Sequence, residues 1–97
     1  MPVVKVRFFG TVRSIAGKKV QELEMRQNPT VRDLLEELKR VSDPEFGKYI
    51  VIQGNTINPV LLMAINGESL DEIDNMNAPL PDNPVLDVMF VSPIAGG

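Results

Sequence analysis

The chain stops at Gly96-Gly97, directly after an extended apolar segment, Val85 to Ile94. The group there that could do chemistry is the α-carboxylate of Gly97. Two glycines carry no Cβ atoms, so they can thread a channel too narrow for any other residue and present that carboxylate to an active site at the far end. Two terminal glycines arise by chance in roughly one chain in 200, and frayed glycine-bearing ends are ordinary. The ending therefore gains meaning only if the rest of the chain is a folded body that holds the tail out.

Other chemistries are poorly supplied. The chain has no Cys and no His. Disulfides, thiol nucleophiles, the usual zinc sites and the commonest acid–base catalyst are all removed, and a Ser–His or Cys–His hydrolase is excluded. Asp71, Glu72 and Asp74 form an acidic loop that reads as solvated rather than as a cation site. The formal net charge is −3, which argues against a nucleic-acid partner, since phosphate backbones need a basic face. Lys5, Arg7, Lys18 and Lys19 read as a solvated face. No run approaches 18 apolar residues, so no membrane partner or span is expected. The start, Met1-Pro2-Val3-Val4-Lys5, lacks a signal pattern, and the chain reads as cytoplasmic.

The elements that must position the tail follow from periodicity. Ninety-seven residues, 43% of them apolar, suit one domain with one core, here residues 1–97 with a tail at 92–97. Val3 to Phe9 alternates Val4, Val6 and Phe8 against Lys5 and Arg7, a half-buried strand with Phe9 out of phase. Val12, Ile15 and Ala16 make a short helical or irregular connection closed by Gly17. Val20 to Met25 is a second strand, with Gln21, Leu23 and Met25 on one face. Thr30 caps a helix whose Asp33 completes a capping-box variant. Val31, Leu34, Leu35, Leu38 and Val41 form its apolar stripe, and Ser42-Asp43-Pro44 ends it.

Residues 43–60 are expected to be loop with a short strand or helical turn. Val60 to Ile65 reads as a strand buried on both faces, and Asn66-Gly67 as a hairpin turn into Glu68-Ser69-Leu70. Residues 71–84 read as loop, and Val85 to Val91 as the last strand, with Leu86, Val88 and Phe90 on one face. The order implies an α+β fold: a mixed sheet of four or five strands packed on one main helix, with a flexible C-terminal tail. This is the β-grasp, ubiquitin-like architecture. First and last strands lying centrally and parallel would send the tail out from the sheet. Phe9, Met89 and Val91 then fall on the outer phase, where they could form an apolar partner surface with the tail residues Ser92, Pro93, Ile94, Ala95 and Gly96.

Five segments carry a family resemblance. They are Val4-Lys5-Val6-Arg7-Phe8-Phe9-Gly10, Val12-Arg13-Ser14-Ile15-Ala16-Gly17, Thr30-Val31-Arg32-Asp33-Leu34-Leu35, Met63-Ala64-Ile65-Asn66-Gly67 and Pro93-Ile94-Ala95-Gly96-Gly97. In that order, across almost the whole chain, they resemble the ubiquitin-like sulfur carriers of the MoaD/ThiS type. The Phe-Phe and Val-Arg-x-x-Ala-Gly features favour MoaD, the molybdopterin synthase small subunit. Pro93 stands where the family usually has two tail prolines. Asp82-Asn83-Pro84 replaces the usual Gly-Asp turn.

The resemblance implies a carrier rather than an enzyme, with no bound cofactor. It implies that an E1-like adenylating enzyme of the MoeB/ThiF type uses ATP to convert the Gly97 carboxylate to an acyl-adenylate. A sulfur donor enzyme then yields the C-terminal thiocarboxylate, and a large synthase subunit of the MoaE type passes the sulfur on in molybdopterin biosynthesis. Three alternatives stay open: a ubiquitin-like modifier joined to lysines through the same tail, a carrier for thiamine or tRNA thiolation, and a plain interaction module without tail chemistry.

Overall fold

The computed structural model describes residues 2–70 and 76–91. Alternation organises the first strand, β1 (Val3–Phe8), in which Val4, Val6 and Phe8 are buried and Val3, Lys5 and Arg7 exposed. Gly10 ends it with φ 61° and ψ −138°, a conformation glycine adopts without a Cβ penalty. The short helix α1 (Thr11–Ala16) follows and buries Val12. β2 (Val20–Glu24) returns antiparallel to β1. Met25 lies just past the strand, yet it is buried and its N–H donates to the Pro2 carbonyl.

The main helix, α2 (Val31–Val41), begins where its cap predicts. The Thr30 hydroxyl accepts from the Asp33 N–H at 3.1 Å, and the Asp33 carboxylate accepts from the Thr30 N–H at 3.0 Å. The first two helical N–H groups have no intrahelical partner. Val31 donates to the Ala78 carbonyl and Arg32 to the Met76 carbonyl, at 3.1 and 2.9 Å. The loop before the last strand thus seals the helix start. Val31, Leu34, Leu35 and Leu38 are buried as the stripe requires, and Val41 is half-buried.

Pro44 both follows one helix and opens another. Asp43 caps α3 (Pro44–Gly47) by accepting from the Glu45 N–H, with Pro44 in the first turn, where its missing N–H costs nothing. Its Phe46 is fully buried and meets Phe8 edge to face, with ring centroids 5.6 Å apart. A small hairpin follows, β3 (Ile52–Gln53) with β4 (Thr56–Ile57). The segment expected to be mostly loop thus holds a helical turn and two short strands.

β5 (Leu61–Ile65) and β6 (Glu68–Ser69) are joined by Asn66-Gly67, whose φ values of 49° and 87° give the left-handed turn that Asn-Gly favours. β7 (Val85–Phe90) completes the sheet, in the order β2-β1-β7-β5-β6. β1 and β7 are parallel and central, with Phe8 opposite Val88, and all other neighbours are antiparallel. α2 covers one face only. β5 is therefore not buried on both faces: Leu61, Met63 and Ile65 are buried, while Leu62 and Ala64 are half-exposed on the open side, and Val60 lies outside the strand. The fold is the expected β-grasp, with five strands in its main sheet.

The cap gives two measurable outcomes. Thr30→Ala removes one half of the box and is expected to lower unfolding free energy by about 1 kcal/mol in denaturant titration. The Thr30 N–H, chiefly, holds the Asp33 carboxyl below its ordinary pKa, with Arg26 assisting. A lowered folded pKa contributes stability above the unfolded value that is lost as pH falls through the folded one. Asp33→Asn should therefore flatten the acid limb of stability against pH below about pH 4.

Candidate functional site

The root of the tail is built by strand register. Phe9 lies one residue beyond β1, and its N–H donates to the Val88 carbonyl at 3.0 Å. Continuing the parallel register sets Phe9 beside Met89. On the other flank Leu62 is opposite Met89. One residue further, the Val91 N–H donates to the Val60 carbonyl at 2.9 Å. Odd-numbered residues of β1 and β7 share the open side of the sheet with the even-numbered residues of β5. Phe9, Met89 and Leu62 therefore form an apolar row across three strands, and Val91 and Val60 form a second row at the point where the chain leaves the sheet.

Phe9, Met89 and Leu62 are half-buried. Val91 is 49% and Val60 45% exposed. The three residues expected at a partner surface, Phe9, Met89 and Val91, are thus brought together beside the exit. Ser92, Pro93, Ile94, Ala95, Gly96 and Gly97 lie outside the described residues, as do Asp71, Glu72 and Asp74.

Behind the apolar rows lies an ion pair that the sequence reading took for solvated charge. Arg7 donates from Nε to Asp87 Oδ1 at 2.6 Å and from Nη2 to Oδ2 at 2.9 Å. This two-point geometry fixes the guanidinium plane. Its carbon then sits 5.6 Å from the centroid of the Phe9 ring, where a cation meets the ring's negative face. The Asp87 hydrogen bonds, and then its charge, raise the Arg7 pKa, so Arg7 keeps its charge. The pair is exposed and adds little stability. It places the guanidinium against the Phe9 ring.

From the core side, Tyr49 packs edge-on against Phe90 with centroids 5.1 Å apart. Asn58 donates to the Tyr49 carbonyl at 3.0 Å and accepts from the Val60 N–H at 3.1 Å. One side chain therefore ties together the two segments that grip the end of β7. The sequence reading missed Leu62, Val60 and Asn58. For Leu62 the signal was present: a strand apolar in both phases, in a fold with one main helix to cover one sheet face, must expose one apolar phase.

Among the described residues nothing else resembles a reaction centre. Among the described residues no group of three or more Asp, Glu, His or Cys could hold a metal ion. An open groove of about 700 Å³, lined by Val31, Ile65, Leu70 and Leu80 among others, lies at the opposite end of the sheet from the tail root. No helix among the described residues is long and apolar enough to cross a membrane.

The model of the ThiS family matches residues 6–97, from Val6 in the middle of β1 to the last glycine. The chain belongs to the ThiS family. It is a ubiquitin-like sulfur carrier of the ThiS/MoaD type, a class of small proteins that are generally not catalytic themselves. Small archaeal modifier protein 3 of Haloferax volcanii is 29% identical to it over 94 residues, covering 97% of this chain and 98% of that one. A Pyrococcus furiosus structure provisionally assigned as molybdopterin converting factor subunit 1 is 26% identical with a TM-score of 0.73. The match covers 95% of this chain and all of that one. The Haloferax volcanii HVO 2177 protein is 28% identical with a TM-score of 0.72, over 99% of this chain and 87% of that one. In this ThiS-family chain the apolar rows can be tested directly. Phe9→Asp is expected to weaken partner association by about tenfold or more while shifting Tm by only a few degrees. A large Tm loss with unchanged association would make Phe9 a core residue.

Proposed function

We propose that this chain carries sulfur on the carboxylate of Gly97 as the small subunit of a molybdopterin synthase. The observation that carries this reading is the parallel central pairing of β1 and β7, which roots the last segment of chain beside an exposed apolar surface. The likeness to the Pyrococcus furiosus protein supports the molybdopterin pathway. A Gly97 carboxylate oxygen attacks the α-phosphorus of ATP in the active site of an E1-like adenylating enzyme, and pyrophosphate leaves. A sulfur donor then displaces AMP, leaving the thiocarboxylate, which the large synthase subunit uses. None of these steps calls for a side-chain catalyst on the carrier, in keeping with a chain that has neither His nor Cys.

The tail suits delivery. Six residues, 92–97, reach at most about 20 Å when extended. Ordering each costs roughly 1–2 kcal/mol of backbone entropy. Pro93 and Ile94 restrict the chain near the body and lower that cost, and the glycines leave the tip narrow. A second reading is favoured by the resemblance to small archaeal modifier protein 3: attack by lysine amines on the same acyl-adenylate would make the chain a protein modifier.

Two measurements test these readings. The intact mass of the chain purified from its host should be higher by about 16 Da, from oxygen replaced by sulfur. Persistent absence of that gain, with activating enzyme and sulfur donor present, counts against sulfur carriage, and Gly97 found linked to target lysines favours the modifier. Gly96→Trp should block activation while leaving the melting curve of the body unchanged. Normal adenylation of that variant would sink the narrow-channel account.

A further inference from the structure

Charge is unevenly distributed along the chain. No Asp or Glu occurs before Glu22, although Lys5, Arg7, Arg13, Lys18 and Lys19 all do, and no Lys or Arg follows Lys48. The fold turns this into a polarity in space. β1 and β7 both end at the tail root, and β2 starts there, with the Lys19 carbonyl accepting from the Phe8 N–H at 2.8 Å. Continuing the β1–β2 register sets Lys18 level with Phe9. Arg13, in the last turn of α1, reaches back to the Phe8 carbonyl at 3.4 Å. Lys18 and Lys19 are exposed, and among the described residues neither is in an ion pair. Of the acids toward this end, Asp87 is engaged by Arg7 and Glu45, on the helix that packs against α1, by Lys48, while Glu22 stands further along β2, opposite Lys5. At the opposite end of the sheet stand Glu24, Glu68 and Asp82.

We propose that Lys18 and Lys19, with Arg13 beside them, are a docking edge for an acidic protein surface that borders the tail channel of the adenylating enzyme. The inference rests on the activation step above. An apolar centre (Phe9, Met89, Leu62, Val91) with a charged rim is how protein interfaces are commonly built. Unpaired exposed lysines contribute mainly to the rate of encounter and to orientation. Here the orientation matters: the field points the tail-bearing end, and not the acidic end, at an acidic partner. A basic edge could also meet RNA phosphates. The edge is short, however, and the chain as a whole is acidic, whereas phosphate backbones require an extended basic surface.

The test uses the full-length chain and the adenylating enzyme of its host. Association rate and the KM for the carrier in ATP–pyrophosphate exchange are measured at about 50 and 300 mM salt for wild type, the Lys18→Glu/Lys19→Glu double variant, and Lys39→Glu on the exposed side of α2. The double variant should raise KM about tenfold at low salt and leave kcat at saturation unchanged. The difference should shrink at high salt as charges are screened. Lys39→Glu should behave as wild type. Equal KM and equal salt dependence for the double variant, with wild type activated normally, overturns the proposal. So does a double variant that loses only retention of host RNA. If wild type binds the enzyme with the expected salt dependence but gains no sulfur, the carrier reading fails and the docking edge stands. If wild type does not bind the enzyme, both fall.

Discussion

The structure depends on the parallel pairing of β1 with β7. These two strands are the farthest apart in the chain, and their contact cannot be made by a hairpin. Every other strand pair in the main sheet can be read as a later addition at an edge: β2 folds back on β1, and β5 and β6 extend the sheet on the other side of β7. The pairing also fixes the floor of the core, because Val4, Val6 and Phe8 then face α2 in the same layer as Leu86 and Val88. Two parallel central strands must finish at the same end of the sheet, so β7 stops where β1 stops. The place where β7 ends is thus a result of the packing of the core and needs no device of its own.

That coupling separates tasks that an enzyme has to combine. The body can be made rigid by ordinary means, such as aliphatic packing, a capping box and a loop whose carbonyls close off the helix. In the proposed carrier role the reacting group is the Gly97 carboxylate, six residues after the last described one in sequence. Side chains near the exit do not have to shift a pKa or bind a metal. In the proposed role they have only to hold a shape, with Arg7 set against the Phe9 ring and Asn58 tying the segments around the last strand.

Legibility in the sequence followed how local each signal was. α2 was readable to the residue because Thr30 and Asp33 lie three apart and the stripe repeats every turn. β1, β2 and the Asn66-Gly67 turn were readable for the same reason. Residues 43–60 were not, because Phe46 and Ile50 are held by partners distant in sequence, Phe46 by Phe8 among them. Pro44 compounded this by serving as both stop and start. β5 was misread as buried on both sides because its composition is apolar in both phases. Only the number of helices available to cover it reveals the open face. The apolar exit surface was legible from the outer phase of β1 and β7, but the third strand contributing to it was not. Nor was the Arg7–Asp87 pair, whose members are 80 positions apart.

Tyr49 has one further consequence. The chain contains a single tyrosine and no tryptophan, and the ring of that tyrosine rests on Phe90, one residue before the strand gives way to the tail. Near-ultraviolet absorption and emission of the unlabelled protein therefore come almost entirely from one phenol at this junction. The molecule carries an intrinsic optical reporter at the place where body and tail meet.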